Sequence, residues 1–387
     1  MVKILHVMFA SQFHDNTGYQ ENLLLKKQVE LGFSVTMLSF DNSLLEKKEY
    51  INQDGGKIIF LPSNFVNESR HIKLLSYFDL FRGHIKYVEE SLKEICPDVI
   101  FIHGLQCIDN LKVVNYAKNN SVKLFADNHN DFYNAHFENY KQRFIHKTIY
   151  RYCAQAISSA AIKVWGVTPW RVKFMKDVYG LKDDKVDLLV MGGDETYIDK
   201  YKRKEIRSNI LKMYNIPQDA KVVVTGGKID KTKNIHLLIE AVTELKEDGV
   251  YLLFFGKFDS EMEDRCRELI KDNVIYAGWM SPNDVYQYFM SADFVAFPGT
   301  HSVLWEQACA CGVPGIFKDW DGGFNHVNIN GNAILLKTVT SQTIKSTLKG
   351  ILLDEKKLSE FKKNAEGLPM DVFSYKNIAL KSIGALD

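Results

Sequence analysis

Residues 221–242 read KVVVTGGKIDKTKNIHLLIEAV, and this stretch decides the fold. The run VVVT is apolar and β-branched, which is typical of a buried strand in a parallel sheet. The glycine pair Gly226-Gly227 follows as a predicted turn, and a helical pattern begins near Asn234. A strand, a turn and a helix in this order are the repeating unit of α/β folds.

The predicted junction between this strand and helix suits an anion. Unpaired backbone N–H groups and the positive end of the helix dipole face one point there. Lys228 and Lys233 flank that point. Two ammonium groups beside a leaving diphosphate would offset the negative charge that grows as the bond to it breaks. The alternative for these two residues is a pair of solvated surface lysines.

The N-terminal half predicts a second parallel sheet with crossover helices. The apolar runs KILHVMFA, FSVTMLSF, DVIFIHG and KLFADNH are separated by segments of helix length. His103 and His129 lie at the carboxyl ends of two of these strands, where open α/β sheets place their ligands. Asp127 and Asp131 flank His129 and are candidates to orient its ring or to handle a proton, although loop capping explains them too.

Length and composition limit the function classes. A chain of 387 residues exceeds what one hydrophobic core organises, so two domains are expected. The formal net charge of +1 gives no indication of nucleic-acid binding. No apolar run approaches the ~18 residues that span a bilayer, and the six cysteines form no C-x-x-C pair, so we expect a cytoplasmic protein with reduced thiols. No G-x-G-x-x-G follows the first strand, which argues against a dinucleotide-dependent oxidoreductase.

The segment 221–317 resembles the second domain of the GT-B glycosyltransferases, in the large fourth family of retaining, nucleotide-sugar-dependent enzymes. That family has a G-R-x-x-x-x-K-G stretch whose Arg and Lys hold the donor diphosphate. Here the stretch reads G-K-x-x-x-x-K-N from Gly227, so Lys228 and Lys233 take these positions. A lysine keeps the charge but loses the two-pronged geometry of arginine. The resemblance implies an α/β fold with two Rossmann-like domains whose parallel sheets face across an interdomain cleft.

The stretch PGTHSVLWEQACACGVPGIF, residues 298–317, resembles the E-x7-E segment of the family. Glu306 falls on the second glutamate, which in relatives accepts hydrogen bonds from the ribose hydroxyls. Pro298 stands in place of the first glutamate, which relatives use on the transferred sugar. The resemblance therefore assigns donor contacts to the neighbouring side chains and to the backbone N–H groups at the start of the next helix; these residues are Thr300, His301, Ser302, Val303 and Leu304.

Three further matches extend the resemblance. Trp279 and Met280 in VIYAGWM would line the base pocket, with ordinary packing as the alternative for Trp279. Gly18 lies in the loop where relatives bring backbone close to the donor or acceptor, although glycine there is also good turn chemistry. His129 matches a histidine that touches the donor sugar. The expected domains are 1–197 on the acceptor side, 198–370 for the nucleotide sugar, and 371–387 as a C-terminal helix packing back on the first domain.

The implied activity is transfer of a sugar from a nucleoside-diphosphate sugar to a hydroxyl acceptor, a glycan or lipid-linked saccharide in surface polysaccharide assembly, with retention. His129, Lys228, Lys233 and Glu306 are the predicted catalytic residues. No cofactor beyond the donor and no metal are expected. The D-x-D pair Asp319 and Asp321 is interpreted as loop chemistry, since relatives need no metal there.

Two questions stay open on the sequence alone. The aromatic and basic segments 65–87 and 137–152 would suit a peripheral contact with the inner face of a membrane, or they are ordinary helices with solvated charges. The missing first glutamate also leaves room for an inactive nucleotide-sugar-binding protein or partner subunit of glycosyltransferase type, and a sugar-nucleotide epimerase on the same fold is a further alternative.

Overall fold

The computed structural model describes residues 1–63, 84–368 and 370–385. The chain forms two compact units. The first unit contains Met1–Val190 with Lys376–Asp387, and the second unit contains Met191–Tyr375. Each unit is built around its own sheet with helices packed on it, as expected for an α/β protein.

The first unit contains an eight-stranded sheet. Its strands are β1 Lys3–Met8, β2 Ser34–Asp41, β3 Lys48–Ile51, β4 Lys57–Pro62, β5 Val99–His103, β6 Lys123–Asn128, β7 Lys163–Gly166 and β8 Val186–Leu188. They are ordered β3-β4-β2-β1-β5-β6-β7-β8, and all neighbours are parallel except β3, which pairs antiparallel with β4. The four strands predicted from the N-terminal half are confirmed as β1, β2, β5 and β6.

The first unit's helices are α1 Gln20–Glu30, α2 Val88–Ile95, α3 Asn110–Asn119, α4 Tyr140–Ile145, α5 Arg151–Ala160 and α6 Pro169–Phe174. A π-helical turn, His146–Tyr150, joins α4 to α5. Thr168 caps α6 by accepting a hydrogen bond from the N–H of Arg171, and Pro169 occupies the first helical position. This cap agrees with the predicted helix start, since proline lacks the N–H that would be unpaired there.

The second unit contains a six-stranded, fully parallel sheet in the order β11-β10-β9-β12-β13-β14. Its strands are β9 Lys221–Ile229, β10 Val250–Phe258, β11 Val274–Tyr276, β12 Phe294–Phe297, β13 Gly315–Lys318 and β14 Ala333–Leu336. Its helices are α7 Arg203–Met213, α8 Ile235–Thr243, α9 Glu263–Leu269, α10 Val285–Ser291, α11 Leu304–Ala310, α12 Ser341–Leu352 and α13 Glu355–Glu366. The central strands β9 and β12 are apolar and buried on both faces, as parallel strands between helix layers must be.

The last helix, α14 Tyr375–Ser382, connects the chain end to the first unit. The indole Nε1 of Trp165 donates to the carbonyl of Ser382 at 3.0 Å, and Lys381 donates to the carbonyl of Leu188 at 3.0 Å. Both acceptors are backbone oxygens, one on the helix and one on β8. These hydrogen bonds fix the position of α14 on the strands β7 and β8.

None of the helices in the described ranges is long and apolar enough to cross a bilayer. The aromatic and basic segment 137–152 forms α4, the π-helical turn and the start of α5. Most of the other such segment lies outside the described residues, because the structure describes only 84–87 of its range 65–87.

Candidate active site

The glycine pair after VVVT is part of a strand, so the predicted turn at this point is wrong. Strand β9 continues through Gly226 and Gly227 to Ile229, and it stays in register with β10 up to the pair Ile229 and Phe258. A Cβ on Gly226 would lie 2.3 Å from the ring of Phe255, and one on Gly256 would lie 1.7 Å from the carbonyl oxygen of Gly227. The glycines therefore allow two strands to approach closely where a turn had been expected.

Lys228 consequently projects from the carboxyl end of β9. Its side chain is 67% exposed, and its Nζ lies 3.2 Å from a carboxylate oxygen of Asp230. Asp230 also accepts hydrogen bonds from the N–H and the hydroxyl of Thr232, which shapes the turn Lys231–Lys233. Lys228 is thus a solvated cation at the edge where parallel sheets present their ligand sites.

Lys233 joins two loops of the second unit. Its Nζ donates to the backbone carbonyls of Thr300 at 2.8 Å and His301 at 3.0 Å. The N–H of Thr300 donates back to the carbonyl of Thr232 at 3.0 Å. Gly299 permits this approach, because a Cβ there would lie 2.3 Å from the Cα of Lys233. The structure thus brings together two segments that were predicted to contact the donor. One is the turn that contains Lys233, and the other is the segment 300–302.

Glu306 lies at the centre of a buried cluster with two histidines. Its Oε1 is 2.7 Å from Nε2 of His301 and 2.7 Å from Nε2 of His326, and the glutamate is fully buried. Its Oε2 is also buried and has no hydrogen-bond partner among the described residues. Burial by itself raises the pKa of Glu306, but the charge and hydrogen bond of His301, with those of His326, outweigh it and lower the pKa to about 2.

This cluster is also the group of described residues that could hold a metal ion, since its three ligand atoms lie within 4.8 Å of one another. The two nitrogen-to-oxygen distances of 2.7 Å are those of charge-assisted hydrogen bonds. Ligands at ~2.1 Å from a tetrahedral ion would stand roughly 3.4 Å apart. The arrangement as it stands is that of imidazole donors on a carboxylate.

The N–H groups predicted to contact the donor belong to residues 302–304, just before α11 and at its first residue. Helix α11 begins at Leu304 after Val303, and the N–H of Trp305 donates to the carbonyl of Ser302 at 3.0 Å. Trp305 is completely buried against His301 and Phe324. The tryptophan therefore anchors the helix start beneath the His301 and Glu306 cluster.

Trp279 is on the surface, so the alternative of ordinary packing is wrong for this residue. Its exposed fraction is 69%. The loop that carries Trp279 and Met280 follows β11, and the carbonyl of Gly278 accepts a hydrogen bond from the N–H of Gly256 at 2.8 Å. This bond holds the loop at the end of β10, next to the strand that carries Lys228.

In the first unit, His129 directly follows β6 and is partly exposed. Its Nε2 lies 3.3 Å from Oδ2 of Asp127, and Nδ1 of His103 lies 3.1 Å from the same oxygen. The predicted flanking residue Asp131 instead caps its own loop and pairs with Arg171 at 3.4 Å. Asp127 is thus the acidic group that orients His129.

Gly18 lies in the loop after β1. The left-handed residue of that loop is Asn16, with a φ of 60°. The hydroxyl of Thr17 donates to the side-chain oxygen of Asn22 at 2.7 Å, which ties the loop to the start of α1. Gly18 and His129 belong to the first unit, whereas the lysines and Glu306 belong to the second.

Sequence reasoning missed two sets of contacts. His326 stands at a position where the family that the chain resembles often has a glutamate, so the resemblance gave no reason to expect its contact with Glu306, 20 residues away. His6 lies within the buried strand β1, and it joins His103 to Gln28. A histidine in the apolar run KILHVM was the available signal for the second set.

The chain is similar in sequence to known glycosyltransferases. Residues 206–367 match the family model "Glycosyl transferases group 1". The N-acetylgalactosamine-N,N'-diacetylbacillosaminyl-diphospho-undecaprenol 4-alpha-N-acetylgalactosaminyltransferase of Campylobacter jejuni is 30% identical over 181 residues, which cover 43% of this chain and 48% of the relative. The lipopolysaccharide 1,2-N-acetylglucosaminetransferase of Salmonella typhimurium is 24% identical over 46% of this chain and 51% of its own length. The chain thus spans about half the length of these curated relatives.

A solved structure covers the whole chain. HepE of Anabaena, in complex with UDP and glucose, superposes with a TM-score of 0.68 at 16% identity and covers 100% of this chain and 99% of its own. A likeness at this identity concerns the fold. The chain therefore has the GT-B fold, with two α/β units, and its segment 206–367 carries the sequence pattern of the group 1 glycosyl transferases.

Proposed function

We propose that this protein transfers a sugar from a nucleoside-diphosphate sugar to a hydroxyl acceptor. The observation that carries the proposal is the joining of two loops by Lys233 beside the buried Glu306, whose Oε2 has no partner among the described residues. An unsatisfied buried carboxylate oxygen is costly unless a ligand supplies a donor. The names of the relatives, which are sugar transferases, support the same class of reaction.

The second unit would bind the nucleotide sugar through its charged diphosphate and through its ribose. Lys228 is exposed at the strand end and would meet the diphosphate as a point charge. Lys233 would stabilise the charge that develops on the leaving group. Because both histidines occupy Oε1 of Glu306, Oε2 is the oxygen left to accept a hydrogen bond from a ribose hydroxyl.

The remaining donor contacts follow the resemblance. Trp279 is exposed and would stack on the base, with Met280 beside it. Gly227 would allow the backbone to approach the nucleotide sugar closely, and Gly18 would do the same from the loop after β1. His129 would contact the transferred sugar. The segment expected to meet the sugar and the phosphates comprises Thr300, His301, Ser302, Val303 and Leu304.

Catalysis would depend on positioning and on charge stabilisation. We assign no enzymic nucleophile, and the leaving diphosphate would help to take the acceptor proton on the face from which it departs. This course gives retention at the anomeric carbon. The lysines supply the positive charge at the diphosphate, so the proposal requires no metal ion and no further cofactor.

The acceptor would be a glycan or a lipid-linked saccharide of surface polysaccharide assembly. The Campylobacter jejuni relative is named for an acceptor on diphospho-undecaprenol, and the Salmonella typhimurium relative for lipopolysaccharide. Helix α4 and the start of α5 expose three aromatic residues, Tyr140, Phe144 and Tyr152, at 72%, 56% and 59%. Exposed basic residues stand between them: Lys141, Arg143, Lys147 and Arg151. Such a surface suits a peripheral contact of a cytoplasmic protein with anionic lipid.

The test of the reaction is a donor panel. Purified protein is incubated with UDP-, GDP- and dTDP-sugars, with and without undecaprenyl-diphosphate-linked saccharide, and released nucleoside diphosphate and glycosylated product are measured. We expect product with one donor. Lys233→Ala should lower turnover at least 10²-fold, because it removes charge stabilisation of the leaving group. Lys231→Ala, which removes an exposed lysine from the same turn, is the matched control and should retain activity.

Each competing function gives a different outcome in this assay. Nucleotide binding without turnover of any donor would support the inactive partner subunit. Isomerised donor formed without an acceptor would identify an epimerase. Turnover that Lys233→Ala leaves unchanged would contradict the proposed site.

A further inference from the structure

A chain of hydrogen bonds runs through the interior of the first unit to His129. It crosses three neighbouring strands, β1, β5 and β6. Nδ1 of His6 is 2.8 Å from Nε2 of His103, and Nδ1 of His103 is 3.1 Å from Oδ2 of Asp127. The same oxygen is 3.3 Å from Nε2 of His129. His6, His103 and Asp127 are all buried, whereas His129 has a side chain that is 39% exposed.

The inner end of the chain fixes the direction of its hydrogen bonds. Gln28 is completely buried, and its Nε2 donates to the carbonyl of Ala379 at 3.4 Å and to Oγ of Ser382 at 3.2 Å. The hydroxyl of Ser382 donates its own proton to the carbonyl of Ala379. If the amide of Gln28 were reversed, its Oε1 would face the carbonyl oxygen of Ala379, and two acceptors cannot form a hydrogen bond with each other. Oε1 of Gln28 is therefore the atom that faces His6.

The positions of the ring protons on His6 and His103 follow from this orientation of Gln28. Oε1 of Gln28 lies 2.7 Å from Nε2 of His6, so His6 donates from Nε2. Burial, and after it the charge of His103, lower the pKa of His6 to about 3, so this imidazole is neutral and its Nδ1 is an acceptor. His103 must therefore donate from Nε2 to His6.

The proton on the other side of His103 follows from Asp127. Burial by itself raises the pKa of Asp127, but the charges of His129 and His103 outweigh it and hold that pKa well below its usual range. Oδ1 of this carboxylate already accepts the N–H of Gly104 at 3.1 Å. An ionised Oδ2 only accepts, so His103 donates to it from Nδ1 as well. The other carboxylate near His129 in the sequence, that of Asp131, pairs instead with Arg171 at 3.4 Å.

We propose that His6, His103 and Asp127 are positioning residues that set the protonation pattern of His129, with His103 held as a buried imidazolium and Asp127 as its carboxylate partner. His129 then donates from Nε2 to Oδ2 of Asp127, and its Nδ1 is the ring nitrogen left to face a ligand. The group it recognises is a hydroxyl of a sugar or of the glycan acceptor. The identity of that ligand rests on the proposed function, whereas the protonation pattern does not.

The pattern can be measured directly on the full chain without substrate. Protein labelled with ¹⁵N at histidine is studied by long-range ¹H–¹⁵N correlation at pH 7.5, and the ring signals are assigned through the backbone. We expect His6 to be protonated at Nε2 alone, His103 at both nitrogens, and His129 at Nε2. A neutral His103, or a His129 protonated at Nδ1 alone, would overturn the proposal.

A substitution in the chain adds a second readout. Asp127→Asn can keep the oxygen that accepts from Gly104, but its amide donates towards His103, so His103 should lose its Nδ1 proton and become neutral. Asp109→Asn is the matched control, because Asp109 is a buried carboxylate of the same unit that accepts from the N–H of His84 and lies outside the chain. It should leave all three histidines unchanged. An Asp127→Asn protein that folds and retains the wild-type pattern would contradict the inference, and the wild-type spectrum decides alone if the variant does not fold.

Activity measurements distinguish a failure of this inference from a failure of the proposed function. In the donor assay, Asp127→Asn should lower kcat/KM by about 10²-fold, and the double variant with His129→Ala should be no slower than His129→Ala alone. Independent, multiplying losses would show that Asp127 does not act through His129 and would reject the positioning role. Absence of turnover in the wild type would count against the proposed function only, since the histidine spectra need no substrate.

Discussion

Nε2 of His326 lies 2.7 Å from Oε1 of Glu306, the oxygen that also receives Nε2 of His301. His326 stands where the resemblance has a glutamate, so an imidazole faces the carboxylate where a second carboxylate would have repelled it. Both histidine side chains are almost completely buried, at 3% and 4% exposure. The two donors orient Glu306 and leave Oε2 as its remaining acceptor.

This arrangement predicts the effect of Glu306→Gln on nucleotide affinity. A glutamine has the same shape but only one acceptor oxygen, so it cannot satisfy two imidazole donors and a ribose hydroxyl together. A hydrogen bond to a charged group contributes about 1.5–3 kcal/mol, which corresponds to roughly a 10- to 100-fold weaker Kd. Calorimetric titration with the accepted nucleoside diphosphate measures it. Glu355→Gln, at an exposed ion pair with Lys221, should leave the Kd unchanged.

The same carboxylate predicts a pH dependence of stability. The pKa of Glu306 is about 2 in the folded chain, against an ordinary value of 4.5, so its contribution to the free energy of unfolding is fully present above about pH 4.5. That contribution is lost as the pH falls towards 2, and the shift corresponds to a loss on the order of 3 kcal/mol. Denaturant unfolding between pH 5 and pH 3 should therefore show a shallower decline for Glu306→Gln than for wild type. Equal slopes for the two proteins would exclude this account.

The strands that sequence reasoning recovered are the ones with long apolar runs. β1, β2, β5, β6 and β9 are buried on both faces, and each contains five or more consecutive buried residues, most of them apolar or small, so the local sequence pattern is enough to predict them. Strand β3 was not predicted because its four residues KEYI lie at the sheet edge, where three of them are exposed. Strand β8 has only three residues.

The error at Gly226 and Gly227 has a non-local cause. A glycine pair after an apolar run is a good turn signal, but here it continues the strand because Gly256 on β10 leaves room beside Gly227. These residues are far apart in sequence. The chain from His6 to His129 escaped prediction for the same reason, since it requires β1, β5 and β6 to be neighbours. The lysines, Glu306 and His129 could be proposed as site residues from the sequence because each stands within one short motif.

Replacement of Lys228 should lower the affinity for the nucleoside diphosphate without lowering the stability of the fold. Its side chain is 67% exposed and pairs with Asp230, so Lys228→Ala should change the free energy of unfolding by less than about 0.5 kcal/mol. Affinity for the nucleoside diphosphate should fall roughly 5-fold and become less sensitive to salt. Lys228→Arg should bind at least as tightly as wild type, because a guanidinium can meet phosphate with two donors. Lys221→Ala, at the other end of β9, is the control and should leave affinity and salt dependence unchanged.

The glycine contact between β9 and β10 predicts a large loss of stability in Gly256→Ala. The new Cβ would lie 1.7 Å from the carbonyl oxygen of Gly227, and Gly256 has a φ of +133°, so the strands would have to separate. We expect the free energy of unfolding to fall by more than about 3 kcal/mol. Gly350→Ala is the matched control in helix α12, where a Cβ meets nothing within 4 Å. It should raise stability by about 0.5–1 kcal/mol, and similar effects of the two changes in chemical denaturation would contradict the packing argument.

Trp279 predicts that the base is held by stacking on a surface ring. An indole that is 69% exposed contributes little to the core, so Trp279→Ala should leave the melting temperature nearly unchanged. Loss of base stacking corresponds to about 1–3 kcal/mol, so the Kd for the nucleoside diphosphate should rise roughly 10-fold or more, while Trp279→Phe should retain most of the affinity. Tyr201→Ala removes a still more exposed ring of the same unit and should not affect binding. If Trp279→Ala and Tyr201→Ala bind the nucleotide equally well in calorimetry, the base does not lie on Trp279.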